Sequence, residues 1–255
     1  ASAIESARLL LLSRSPRFPH GIGNDEGLVG RHLQFHAVTM GQALFERGGQ
    51  PRFDRISALF DRGDGDSPFL GRSIADHYFL PDGAADIAKG GMIRFGLAPQ
   101  VEGPRVFDPS GDQRVLYFEA FHDFFPNAQT FVTLDDAVTD RWRLPVARIH
   151  LDVPPQHRQA GRFLADRAFE IYEDLGASEG VTTDTGGTSS YLVHGTCRAG
   201  LDPRASVLDP FCRVHALRNL FVADGSFLPT SGGASTTLTI LANALRTADS
   251  ILIER

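Results

Sequence analysis

His194-Gly195-Thr196-Cys197-Arg198 is followed further on by Asn219-Leu220-Phe221-Val222-Ala223-Asp224-Gly225-Ser226 and then by Pro229-Thr230-Ser231-Gly232-Gly233. The short apolar run Leu220-Phe221-Val222-Ala223, stopped by Asp224-Gly225, predicts a buried strand ending at a turn. In open α/β sheets, ligands sit at the carboxyl ends of strands. A Gly/Ser/Thr-rich stretch over residues 230–237 leads into Leu238-Thr239-Ile240-Leu241-Ala242-Asn243-Ala244-Leu245, whose spacing predicts a buried helix. Small residues before a helix let a ligand approach free backbone N–H groups, and the helix N-terminus favours negative charge. Spacing alone fits equally well a strand-to-helix connection with no ligand.

Outward from this stretch, residues 195–248 resemble the C-terminal segment of the glucose-methanol-choline (GMC) flavoprotein oxidoreductases, in which a GTCR stretch precedes an NLFVADGS strand, a PTS-G-G turn and a last helix. Other parts of the chain are similar to the same family. They are Ala1-Ser2-Ala3-Ile4-Glu5-Ser6-Ala7-Arg8-Leu9-Leu10-Leu11-Leu12-Ser13, then Gly21-Ile22-Gly23-Asn24 with Val29-Gly30-Arg31-His32-Leu33, and Thr133-Leu134-Asp135 through Asp140-Arg141-Trp142 to Leu144-Pro145-Val146-Ala147-Arg148-Ile149. The resemblance is weakest over residues 37–114.

The fold class it implies is α/β with an α+β substrate domain: part of a GMC-type FAD-binding domain plus an antiparallel sheet covered by helices. Residues 1–36 and 191–255 fall to the FAD domain and residues 37–190 to the substrate domain. Family members are about twice as long, and their N-terminal part carries the G-x-G-x-x-G turn whose glycines admit the FAD pyrophosphate. That turn is not found here: Gly21-Ile22-Gly23-Asn24-Asp25-Glu26-Gly27 has the wrong spacing and follows the polar Arg17-Phe18-Pro19-His20. The resemblance therefore implies an N-terminal FAD-binding half, on a separate chain or a missing segment, as partner. Without it the chain is expected to be poorly soluble or partly unfolded, and homo-oligomers are possible.

Composition narrows the class. The 255 residues are 42% hydrophobic and 22% charged, as in soluble globular proteins able to bury a core. A net charge of −6 and the lack of any basic run disfavour nucleic acid and suit small neutral ligands. Cys197 and Cys212 are too few for a disulfide framework. Apolar runs such as Leu9-Leu10-Leu11-Leu12 fall far short of a membrane span of about 20 residues. The expected protein is soluble, and both cytoplasm and periplasm remain open.

Along the chain, the resemblance to the FAD domain implies a helix over residues 4–14, a Pro/Gly loop and a second helix starting near Val29. Strands are expected over 92–97, 115–118, 130–134 and 146–151, where β-branched and aromatic residues are bounded by Gly, Pro and Asp. A helix over 155–175 follows from Leu164, Ala168, Ile171 and Leu175 at helical spacing. Together these read as an antiparallel sheet with helices on one side. Asp61-Arg62-Gly63-Asp64-Gly65-Asp66 alternates carboxylates as a calcium loop does but lacks the later glutamate, so it reads as a solvated turn. His32 and His36, four apart on the expected helix, would suit a metal face, but no third ligand is evident and they read as solvated or packing positions. No metal is expected.

The chemistry the resemblance implies is hydride transfer from an alcohol carbon to flavin N5, with a base within about 2.6–3.2 Å of the alcohol oxygen. Family members place a His three residues before the Gly of the Gly-Thr pair, and a His or Asn just before the last helix. Here those positions hold Leu192 and Ser235, and Thr236 stands where the family usually has Pro. The expected base is His194, two residues out of register, whose imidazole has an ordinary pKa of about 6.5. Ser235 would give one hydrogen bond to the alkoxide. Tyr191, with a pKa near about 10, is a poorer base, and His215 reads as structural. By the same resemblance Asp224 and Gly225 lie near the ribityl and pyrophosphate of FAD, and Ser235, Thr236 and Thr237 at the flavin pyrimidine edge, where N–H donors stabilise charge near N1. The expected function is an FAD-dependent oxidoreductase oxidising a CH–OH group of a sugar, glycoside or related alcohol. The alternative is a GMC-derived subunit that binds flavin or a partner with lost or non-redox activity.

Overall fold

Ile93 and Phe95, Ala43 and Phe45, and Leu116, Phe118 and Ala120 recur at every second position, so each pair or trio points to one face of an extended chain. These faces meet in a computed structural model that describes residues 2–46, 51–52, 72–80, 89–97 and 113–253. In chain order its elements are α1 (Ala3–Leu12), β1 (Gln34–Glu46), β2 (Arg72–Ile74), β3 (Gly91–Leu97), β4 (Gln113–His122), β5 (Phe131–Thr139), β6 (Pro145–His150), α2 (Pro155–Asp174), β7 (Glu179–His194), a 3-10 turn (Gly225–Phe227) and α3 (Thr237–Ile253). The acidic loop over residues 61–66 lies outside the described residues.

The chain forms two compact units. One, residues 37–123 and 154–188, carries a five-stranded sheet of order β2-β3-β4-β1-β7. β3 and β1 both pair antiparallel with β4, in registers that align Phe95 with Phe118 and Ala43 with Leu116. Helix α2 packs on β3 and β4 and sets Leu164, Ala165, Ala168 and Tyr172 against the alternating strand residues. Tyr172 is ringed by Phe45 and Phe95, each 5.5 Å away between centroids, and by Phe118 at 6.0 Å. Each such side chain removed from water stabilises by about 1.5–3 kcal/mol. Pro155 opens the helix, where a missing N–H is harmless. Gly176 ends it with φ +86°, its N–H donating to the Glu173 carbonyl, as left-handed C-terminal glycines do. The expected α/β class, with an antiparallel sheet covered by helix, is the one observed.

The other unit joins residues 1–36, 124–153 and 189–255. The β5–β6 hairpin therefore groups with the terminal segments and not with the sheet that precedes it. Arg8 of α1 accounts for part of this: its Nε donates to the Pro145 carbonyl at 2.8 Å and its Nη2 reaches Asp140 Oδ2 at 2.7 Å. The helix expected near Val29 does not form. Gly30 has φ +87° and His32 φ +55°, both in the left-handed region, and the Gly30 backbone is committed elsewhere, its N–H to Thr196 O and its carbonyl to Val132 N–H. The chain instead turns and enters β1, so His32 and His36 share no helix face.

Two further expectations change. The run at residues 220–223 is not a ladder strand: only an isolated bridge, Arg213 with Phe221, is present, flanked by N–H donations from Val222 to Cys212 O and from Val214 to Leu220 O. Pairing to that one turn is all the described residues supply. Helix α3 forms as expected but is not buried, with Leu238, Leu241 and Leu245 exposed by 80%, 57% and 70%. Its packed side is polar: Asn243 Nδ2 donates to Cys212 Sγ at 3.0 Å and Thr247 is buried. Among the described residues, no helix is long and apolar enough to cross a membrane.

Candidate active site

His194 is the last residue of β7, and the chain must leave the strand sharply after it. Gly195 makes that turn at φ +90°. A Cβ there would run into the His32 carbonyl and come 2.8 Å from Gln34 Nε2, so a glycine is required on both counts. The next residues are tied to α1 and to the 3-10 turn: Thr196 Oγ1 donates to Ala3 O of α1 at 2.6 Å, and Cys197 N–H to Ser226 O at 3.0 Å and Ala199 N–H to Phe227 O at 2.9 Å bind the turn. Asp224 caps that turn, accepting from Ser226 N–H at 2.8 Å and Ser226 Oγ at 2.6 Å, and from Ser6 Oγ. The two halves of the opening motif are thus one hydrogen-bonded body.

Within it His194 is 1% exposed. Its Nε2 lies 2.7 Å from Thr236 Oγ1, and its ring centroid is 5.1 Å from that of His36. His36 Nε2 donates to the Ser231 carbonyl at 3.0 Å, which ties that ring to the Pro229–Gly233 turn. Burial first, and the neighbouring His36 second, push the His194 pKa down to about 4. The ring is therefore neutral across the physiological range, with one nitrogen lone pair open, and it is a weaker base than a free imidazole. Gly225 packs closely against it: a Cβ at that position would be 3.1 Å from both His194 Cδ2 and Ile240 Cδ1, tight enough that these neighbours would have to give way slightly.

The other expected site residues separate. Thr236 is 8% exposed and meets His194, whereas Ser235 and Thr237 face outward. The hydroxyl brought to the imidazole is thus one residue beyond the Ser235 expected to partner it. Gly225, buried, lies against His194, and Asp224, half-buried, holds Ser226 and Ser6. His36, read from sequence as a helix position, is the site residue that was missed. The signal was the run Phe35-His36-Ala37-Val38-Thr39, whose β-branched and aromatic content suits a strand better than a helix. His215 sits away from this group, its Nε2 3.0 Å from Ser206 Oγ, which itself donates to Asp202 O. The Tyr191 side chain lies outside the described residues. Burial, then Asp224, raises the Cys197 thiol to about 12, so it stays protonated and is no nucleophile. Among the described residues, no group of His, Cys, Asp and Glu is arranged to hold a metal ion.

The residues present suit a flavin. Ile240 N–H is the first in α3 to donate back along the helix, to Thr236 O. That leaves the amides of Thr237, Leu238 and Thr239, in an exposed first turn, as donors for an electron-rich heterocycle edge. Asp224, whose oxygens accept from Ser226 and Ser6, holds the 3-10 turn that precedes them.

Comparison with known proteins bears on the same segment. A family model described as GMC oxidoreductase matches residues 126–244. The chain is 34% identical over 251 residues to the 6'''-hydroxyparomomycin C oxidase of Streptomyces lividus, covering 98% of this chain and 43% of that protein. It is 35% identical over 254 residues to the paromamine 6'-oxidase of Streptomyces fradiae, covering 98% and 44%. The fructose dehydrogenase large subunit of Gluconobacter japonicus is 29% identical over 259 residues, covering 99% and 46%. The chain thus spans less than half the length of these relatives. Among solved structures, a formate oxidase superposes with a TM-score of 0.64 at 18% identity, covering 100% of this chain and 53% of that one, a likeness of fold. Matches in motif, in sequence over nearly the whole chain and in fold agree, and the chain belongs to the GMC oxidoreductase family.

Proposed function

We propose that this chain is the C-terminal half of an FAD-dependent oxidoreductase that oxidises a CH–OH group of a sugar, glycoside or related alcohol. The observation that carries the reading is a buried, neutral His194 held beside Thr236 and Gly225 in the segment that matches the family. An alcohol releases hydride readily only as its O–H proton is removed, and His194 is the base we assign to that step. FAD, when bound, supplies the hydride acceptor at N5. Asp224, Gly225 and the α3 start formed by Ser235, Thr236 and Thr237 would hold that cofactor. Burial of His194 excludes water from the proton acceptor, which strengthens its contact with an incoming hydroxyl. The relatives' own names, oxidases of a paromomycin and of paromamine and a dehydrogenase of fructose, support a polyhydroxylated substrate.

The exposed apolar stripe of α3 supports the proposed partner, an N-terminal FAD-binding half, because a solvent-facing row of leucines is an interface in need of cover. On the same logic residues 1–36 and 191–255 serve the cofactor and the five-stranded sheet the substrate.

A second reading has its own observation. Leu192 and Ser235 occupy the places where the family sets its polar pair, which favours a subunit that binds flavin or a partner with lost or non-redox activity. Anaerobic mixing of the assembled protein with a panel of sugars, amino sugars and simple diols separates the two. Bleaching of the flavin absorbance is expected, and its absence with every alcohol would leave the second reading. His194→Ala should lower the reduction rate by about 10²–10⁴-fold, the usual contribution of a general base.

A further inference from the structure

The proton positions around His194 follow from elimination. Nε2 and Thr236 Oγ1 are 2.7 Å apart, while Nδ1 is buried with no hydrogen-bond partner among the described residues. Were the threonine to donate, Nε2 would be the lone pair and the ring proton would sit on Nδ1, a buried N–H with no acceptor. Orphaned N–H groups are rarer in proteins than under-used acceptors, and stranding one forfeits its hydration with nothing in return. Placing the proton on Nε2 removes the conflict: Nε2–H donates to Thr236 Oγ1, and Nδ1 is a bare lone pair. The threonine hydroxyl is a rotor and can turn its own proton elsewhere. A doubly protonated ring is excluded near neutrality, because burial disfavours its charge.

We infer that Thr236 is a positioning residue that accepts a hydrogen bond from His194 Nε2–H and so presents Nδ1 as the nitrogen that takes the alcohol proton. The inference rests on the alcohol-oxidising reading above. In the step, the alcohol O–H bond breaks and an N–H bond forms at Nδ1. A bound flavin would supply the acceptor for the hydride that the carbinol carbon gives up as its C–O bond becomes a carbonyl, and the second proton of the imidazolium stays on Nε2, shared with Thr236. The threonine thus does for this base what a carboxylate or backbone carbonyl does for other histidines, fixing tautomer and ring orientation through the nitrogen that does not react. Because Oγ1 is neutral, it does so without raising the basicity of the ring. Ser235, facing outward, is not placed to substitute for it.

The test uses the chain assembled with its N-terminal half, labelled with ¹⁵N in histidine. At pH 7 the His194 nitrogens should report a proton on Nε2 and none on Nδ1. Thr236→Val keeps the shape and removes the hydroxyl. It should mix the two tautomers and slow flavin reduction by about tenfold or more, the usual loss when a histidine's orienting partner is removed. KM should move by less than about threefold, because binding of substrate is not what changes. Thr236→Ser should restore both the spectrum and the rate. A proton found on Nδ1 in the unaltered protein, or an unchanged rate and spectrum in Thr236→Val, overturns the inference. If no alcohol reduces the flavin but the proton is on Nε2, the oxidase reading fails while the assignment of the Thr236 contact holds. If alcohols reduce the flavin at full rate in Thr236→Val, the oxidase reading stands and the inference falls.

Discussion

Helices α2 and α3 carry similar apolar stripes and meet opposite surroundings. Leu164, Ala168 and Tyr172 of α2 are buried against strand side chains, whereas Leu238, Leu241 and Leu245 of α3 stand in solvent. Helical periodicity states that a face requires cover and is silent on what provides it. For α2 the cover lies in the same chain, on β3 and β4. For α3 the packed side is the polar one, with Asn243 against Cys212, and the leucines stand uncovered among the described residues, the face that the proposed N-terminal half would cover.

The comparison breaks first at α2. Leu164→Ala would leave a void between the helix and the sheet residues Phe45, Ile93 and Phe118, with no exposed side chain able to collapse into it. The expected loss is about 2–5 kcal/mol, read as a lower urea midpoint with unchanged slope. A loss under about 1 kcal/mol would mean that the α2 contact is loosely packed and that the contrast between the helices is false.

Where the sequence was legible follows the same division. Strands β3 and β4 could be read because apolar residues alternate, Ile93 with Phe95 and Leu116 with Phe118, and α2 because Leu164 and Ala168 recur at helical spacing behind two prolines. The start of β1 was misread because a helix near Val29 was carried over from the resemblance, while the positive φ values that forbid it at Gly30 and His32 leave only a faint trace in residue type. β7 was missed because Glu179-Gly180-Val181-Thr182-Thr183-Asp184-Thr185-Gly186-Gly187 shows no apolar alternation. At the site the motif located the turn and the helix start. Which hydroxyl meets His194 depends on backbone angles at one helix terminus, and a one-residue advance there moves a side chain by about 100° around the axis, enough to exchange Ser235 for Thr236.

A second test compares the polar start of α3 with its apolar stripe. The His194 pKa, ordinarily about 6.5, is pushed down to about 4 in the fold. Above about pH 6.5 the ring is neutral in folded and unfolded chains alike, and stability is unaffected. As the pH falls from there towards about 4, the unfolded chain takes up a proton that the folded chain refuses, so stability declines, by up to roughly 3 kcal/mol. His32 and His157 are lowered in the same direction by burial, so the contribution of His194 is read as a difference. His194→Gln should flatten the stability curve between about pH 6.5 and 4 relative to the unaltered chain. Parallel curves would mean that His194 reaches water in this fold, and the buried α3 start would lose its meaning.

The smallest expected effect is the most telling about α3. Leu241→Ser and Leu245→Ser together remove two leucines from one stripe, but in the chain alone neither side chain has been withdrawn from water. Their combined effect on the urea midpoint should correspond to less than about 1 kcal/mol, since exposed substitutions stay within about 0.5 kcal/mol each. Soluble yield should rise, because the exposed apolar row is shortened. The same pair made in the assembled protein should weaken association with the N-terminal half, each lost leucine removing apolar area that the interface would otherwise bury. A midpoint drop in the chain alone comparable to that of Leu164→Ala would place the α3 leucines in a core already formed within these 255 residues, and the two helices would then differ in nothing but sequence.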